Sequence, residues 1–286
     1  NLIRATRMEV GATNGLLTFE IVCSEYVHAE LLRHKRLSFN WMSHRAAGVK
    51  RFAEIGHDVP VDFYQQGTGM GTGDPLPLDV QEKALNIWNE AYICSLAYAE
   101  QLQALGVCKS QALRVINPTH NMRGVVTGTE DAWIKVLALR NHAAADPAMQ
   151  TLARGIAHVI ERLHHENGWI ISERHTPYWT DDLADMGTDA YKVLIARIAR
   201  VSYGQVRARE DDLALADRLL YNDPPHLSPA EHIAFASPAP ILSAISSKEE
   251  DYYVKTLLID GYSVGIGWDS YRALLEDDLE IPDNVN

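Results

Sequence analysis

The pattern that most constrains this chain is VQEKALNIWNEAYICSLAYAEQLQAL. It keeps helical spacing from Asp79 to Leu105 and stops at Gly106, a residue suited to ending a helix. Three further stretches read as helices. TEDAWIKVLALR has Thr129 placed to cap its N-terminus ahead of two acidic residues, and DPAMQTLARGIAHVIERLHHE has Asp146 as cap and Pro147 in the first turn. The shorter SQALRVI is the third and ends at Asn117-Pro118; YKVLIARIARVSYG, DDLALADRLL and the proline-punctuated PPHLSPAEHIAF come later, after a Trp- and Pro-bearing loop. Strand signals are fewer. TFEIVC, after Gly15, leads into a helical stretch in which Val27, Leu31 and Leu32 are expected to face inward, and VVTG reads as a short strand. Residues 58–78 read as a Gly- and Pro-rich loop, and the acidic tail from about residue 274 to 286 as loosely held. With no internal repeat and no low-complexity linker, the expectation is a helix-rich α+β fold in a single domain spanning 1–286.

Charge narrows the function. The 286 residues are 47% hydrophobic and carry a formal net charge of −12, which argues against general binding to nucleic acid or an anionic membrane. No apolar run approaches the roughly 18 residues of a membrane helix. The chain opens on Asn1 with no charged-then-apolar leader, so a cytoplasmic protein is expected. Cys23, Cys94 and Cys108 form neither a disulfide framework nor a metal-binding pair.

Against this acidic background, LLRHKRLSFNWMSHR (31–45) gathers Arg33, His34, Lys35, Arg36, His44 and Arg45, with Ser38, Asn40 and Ser43 between them. A helix over 27–36 would put Arg33 and Arg36 on one face. Guanidinium forks, hydroxyls and free backbone N–H groups describe a pocket for phosphate or carboxylate; a solvated basic helix end is the plainer alternative. Arg114 in QALRVI and Arg140 in VLALR are flanked by core-type residues, so each must meet an anion or extend outward. Other motifs carry less. GTGMGTG reads as a flexible loop, His164-His165-Glu166 as a solvated face without metal-ligand spacing, and Glu231-His232 as either a buried polar pair or a ligand contact. No nucleophile elbow, zinc-protease or deaminase signature occurs, so no metal is expected and a cofactor would have to carry the chemistry.

Arg33-His34-Lys35 followed by seven residues and Ser43 resembles the RHR-x7-S signature of the flavin-dependent thymidylate synthases, the ThyX family. HAE at 28–30, SHRA at 43–46, TGTEDAWIKVLALR at 127–140, RVSYG at 200–204, SPAEH at 228–232 and GWDSYR at 267–272 resemble that family too. The order of the segments is similar to a longer, phage-type branch. The resemblance implies a mixed or antiparallel sheet within a homotetramer that binds FAD between subunits. It further implies use of methylenetetrahydrofolate and NADPH to turn dUMP into dTMP without a cysteine nucleophile. It places Arg33, His34, Lys35, Thr129 and His232 around the flavin. Glu30, Arg33, Ser43, His44, Arg45 and Arg114 would surround the pyrimidine deoxynucleotide monophosphate, with Arg140 stabilising negative charge on the ring.

Three departures bear on specificity. Lys35 replaces an Arg, Trp41 stands where a Glu is common, and ADPAM (145–149) replaces AQ-x-EI, putting Asp146 in place of Gln. A carboxylate at 146 could accept from the cytosine amino group if it reached the base, so a dCMP methylase or hydroxymethylase is the alternative to dUMP methylation. A non-catalytic nucleotide- or flavin-binding descendant is the second.

Overall fold

The computed structural model describes residues 1–8, 15–68, 72–202, 207–236 and 267–278. Its organising pair is β2 (Leu16–Ser24) and β6 (Asn121–Thr129), antiparallel and in register from Leu16 opposite Thr129 to Ser24 opposite Asn121. β3 (Ser38–Trp41) adds to the free edge of β6. β1 (Leu2–Arg7) lies antiparallel on β2, and the two-residue β7 (Ile170–Ile171) runs parallel to β1. The order β3-β6-β2-β1-β7 is a mixed sheet, as the resemblance implies.

Side chains alternate across β2, and this sets the layers. Leu17, Phe19 and Ile21 point to one face, where α5 (Glu130–Arg140) and α6 (Pro147–His165) cover them. The α6 stripe of Met149, Ala153, Ile156, Ile160 and Leu163 recurs every three or four residues and is wholly turned inward. The opposite face meets α7 (Asp189–Ala199) and α8 (Arg209–Leu220), which bury Val193, Leu194 and Leu215 around Val125. A third core, built from Met42, Val49, Phe52, Tyr92, Leu113 and Met122, packs α2 (Val49–Ile55) and the long α3 (Leu78–Ala104) beside one end of the sheet.

The second face holds a buried polar line. Thr18 and Thr127 hydroxyls lie 2.6 Å apart. Thr18 also meets His175 Nε2 at 2.7 Å, Thr127 meets His232 Nδ1 at 2.8 Å, and His175 Nδ1 reaches Thr6 Oγ1 at 3.0 Å. Burial presses the pKa of both histidines down to about 3, so both are neutral.

Several expectations change. The helix at 27–36 is α1 (Glu25–Leu31) only; beyond it the chain turns through i→i+3 bonds (His34 N–H to Leu31 O, 2.9 Å). Pairing with β6 then draws Ser38–Trp41 into a strand, and Leu32 is 39% exposed rather than inward. The expected loop at 58–78 contains a hairpin of β4 (Tyr64–Gln66) and β5 (Thr72–Pro75); Gly69, Met70 and Gly71 of GTGMGTG lie outside the described residues. VVTG is the end of a nine-residue strand. A short 3-10 turn (Ser228–His232) leads to β9 (Ala234–Ala236), which pairs with β8 (Arg174–His175) and β10 (Trp268–Ser270). The tail begins as a helix, α9 (Tyr271–Asp278), anchored by Arg272 to Glu276 at 2.7 Å and to Glu231; its remaining residues, 279–286, and Tyr203-Gly204 of RVSYG are outside the described set. His164 is not merely solvated: its Nε2 lies 2.7 Å from Glu130.

Candidate active site

Two clusters flank α1. The first is a pocket of about 450 Å³ lined by Glu25, His28, Ser43, His44, Arg45 and Arg114, with Met42, Leu113 and Met122 as its apolar wall. β3 delivers the chain to Ser43. A turn closed by Ala46 and Ala47 N–H groups on Ser43 O then presents the next three side chains, and Arg45 N–H donates to Ser43 Oγ at 3.1 Å. Arg114 comes from the far side, on a 3-10 turn (Leu113–Val115) whose flanking Leu113 and Ile116 are buried. Arg45 and Arg114 are exposed and carry no ion pair among the described residues. His44 stacks on Phe52 at 4.8 Å and meets His120 edge-on; desolvation first, and then His120, lowers its pKa.

The second cluster centres on Arg140, the last residue of α5, whose side chain is 17% exposed. Its guanidinium donates to the Glu30 carboxylate, and its Nε donates to His34 Nε2 at 3.0 Å. His34 must therefore offer a lone pair. Burial first, then the charges of Arg140 and Arg33, lower its pKa and keep that lone pair free. Arg33 and Lys35 stand exposed beside this cluster without ion pairs among the described residues, whereas Arg36 is taken up by Asp131 at 2.7 Å.

The remaining expected residues fall elsewhere. Asn40 is buried and donates to Ile198 O at 2.9 Å. Thr129 spends its hydroxyl on the α5 cap, accepting from Ala132 N–H at 3.3 Å. His232 is sealed inside the fold, and its Nε2 is buried with no hydrogen-bond partner among the described residues. Trp41 lies on His28 at 4.5 Å and over Gly124, where an added Cβ would come within 2.2 Å of the indole. Asp146 caps α6 through Ala148 and Met149 N–H groups at 3.0 and 3.2 Å. It lines a separate, wider groove with Tyr26 and Asp58, apart from both clusters. The sequence reading missed Glu25 and His120. Neither has a motif of its own: Glu25 lines the first pocket and His120 lies buried behind its His44, and the Glu25 N–H bond to His120 O at 3.0 Å joins the start of α1 to the start of β6.

The family model described as "Thymidylate synthase complementing protein" matches residues 14–164. A protein of Mycobacterium phage D29 described as "Probable flavin-dependent thymidylate synthase" is 34% identical over 139 residues, 48% of this chain and 56% of the phage protein. The chain thus spans little more than half the length of the curated relative it matches. Two crystal structures of the UMP/dUMP methylase PolB from Streptomyces cacaoi, with 5-Br UMP and with 5-Br dUMP, are also similar. Their TM-scores are 0.47 and 0.46 at 18% and 19% identity, covering 52% of this chain and 69% and 67% of theirs.

Proposed function

The chain belongs to the thymidylate synthase complementing protein family, the flavin-dependent thymidylate synthases, and from that premise we propose that it transfers a one-carbon unit from methylenetetrahydrofolate to C5 of dUMP. The observation that carries the reading is the convergence of Ser43, Arg45 and Arg114, from segments some seventy residues apart, on one pocket in which neither cation forms an ion pair among the described residues. Two uncommitted guanidinium groups and a hydroxyl are the donor set a nucleotide phosphate requires.

Arg140 supplies the chemistry on the protein side. Its partly buried guanidinium is oriented by Glu30 and His34, and it offsets the negative charge that grows at N3 and O2 as C5 becomes nucleophilic. Neutral His34 positions the fork without competing for its charge. The donor set also fits a flavin: Arg33 and Lys35, without ion pairs among the described residues, are cations suited to the phosphates of FAD. When bound, FAD would supply the redox equivalents, with NADPH as reductant. Because the pocket and Arg140 lie on separate faces of α1, we read the complete site as shared between subunits of a homotetramer. α3 supports that assembly, since Val80, Ile87, Tyr98 and Leu105 form an exposed apolar stripe at helical spacing along and just past it.

The dCMP alternative depended on Asp146 reading the base. With that carboxylate engaged at a helix cap in another groove, dUMP is the substrate we favour. The test is to load the protein with FAD, titrate dUMP and dCMP while following flavin absorbance, and analyse products formed with methylenetetrahydrofolate and NADPH. Conversion of dUMP to dTMP is expected. A protein that takes up no flavin, or that responds to dCMP alone, overturns the proposal.

A further inference from the structure

The wall of the first pocket holds an arrangement that phosphate binding does not use. His44 Nε2 and His120 Nε2 face each other at 3.2 Å. One ligand atom each of Glu25, His44 and His120 lies within 4.8 Å of the others. We propose that these three side chains bind a divalent transition metal of the zinc class at the base of the pocket.

The bite fits. Two nitrogens held 2.0–2.1 Å from a tetrahedral zinc stand about 3.3 Å apart, close to the separation already present. The ring orientation fits as well. His120 Nδ1 lies 2.7 Å from the Asn117 carbonyl oxygen, which can only accept, so Nδ1 carries the hydrogen and Nε2 is the lone-pair nitrogen. A second ring N–H held by a backbone carbonyl is the outer support that metal-bound histidines usually have. Phe52 fixes both rings, stacked on His44 and edge-on to His120 at 5.1 Å. Glu25, anchored to His120 through its backbone, brings the one carboxylate, with an oxygen within 4.8 Å of a ring nitrogen of each histidine. Three protein ligands beside an open cavity leave a fourth position for water or another oxygen ligand, the pattern of an open zinc site. No spacing in the sequence announces this site, because its ligands come from the start of α1, the turn after β3 and the residue before β6.

The experiment is zinc titration of the full chain by calorimetry, with cobalt(II) absorption as a second probe, on the wild type, His44→Asn and Glu25→Gln. His44 and Glu25 reach the pocket surface, so their replacement spares the buried His120. One zinc per chain and a tetrahedral cobalt spectrum are expected, with affinity falling at least about tenfold in each variant. No stoichiometric binding, or equal binding in both variants, overturns the proposal. Flavin uptake and the dUMP response are measured on the same samples without metal. A metal-free but dUMP-responsive protein therefore rejects this inference alone, and a zinc-binding protein that takes up no flavin rejects only the function proposed above.

Discussion

The clusters on either side of α1 use arginine in opposite ways. Arg140 is committed: a carboxylate holds its fork, a neutral imidazole takes its Nε–H, and most of its side chain is covered. Arg45 and Arg114 are exposed and form no ion pair among the described residues. A preorganised cation acts on charge that develops during a reaction, whereas a free cation waits for a ligand that arrives already charged. The two clusters should therefore respond differently to the same kind of mutation.

The largest effect is expected at the committed one. Arg140→Ala should lower kcat by about 10²–10³ with little change in the apparent dUMP constant, in steady-state assays with methylenetetrahydrofolate and NADPH. A change confined to KM would erase the distinction between the clusters. At the free one, Arg45→Ala and Arg114→Ala should each raise the dUMP dissociation constant by about 10- to 100-fold, as loss of a charge-assisted contact does, while kcat at saturating nucleotide changes much less. Fluorescence or absorbance titration of the flavin-loaded protein reads this directly.

Acid sharpens the comparison from a third region. His175 and His232 have pKa values lowered by burial to about 3 from an ordinary 6.5. Between those values the unfolded chain binds more protons than the folded one. Their neutral burial is therefore fully tolerated above pH 6.5, and stability falls as pH drops from 6.5 toward 3. The slope should approach ~1.4 kcal/mol per pH unit for each histidine. Melting followed by circular dichroism across pH 7 to 4 should show this fall, and His175→Asn should flatten it. A flat profile in the wild type would place the acid response elsewhere.

The smallest effect concerns Asp146. Asp146→Ala should cost ~1 kcal/mol of stability through loss of the α6 cap, measured by denaturant unfolding, whereas Asp146→Asn should retain nearly all of it. Neither change should alter the preference for dUMP over dCMP. An Asn variant that shifts base preference would return this residue to the site.

Helix periodicity made the long elements legible in the sequence. α3, α5 and α6 stand within a residue or two of their expected limits, because the Asp146 and Thr129 caps and Gly106 are local signals that local bonds satisfy. The strands were harder. β7 exists through β1, a partner far along the chain, and Ser38–Trp41 became a strand only because β6 offers an edge. The site divides the same way. The basic signature could be read as one cluster, yet folding parts it: Arg33, His34 and Lys35 go with Arg140, while Ser43, His44 and Arg45 go with Arg114. The four-residue strand between them turns the chain to the other side of α1. Glu25 and His120 could not be read at all, since what qualifies them is a backbone bond between distant segments.

Trp41 and Gly124 are one object written at two places in the chain. The indole occupies the space that any side chain at 124 would need, and it also packs on His28, which lines the first pocket. Exchanging this tryptophan for a smaller acid would leave a hollow over the strand, and enlarging the glycine would expel the ring. The two codons are thus yoked. A designer wishing to place an acidic residue at position 41 should diversify both together, with His28 as the third member of the library.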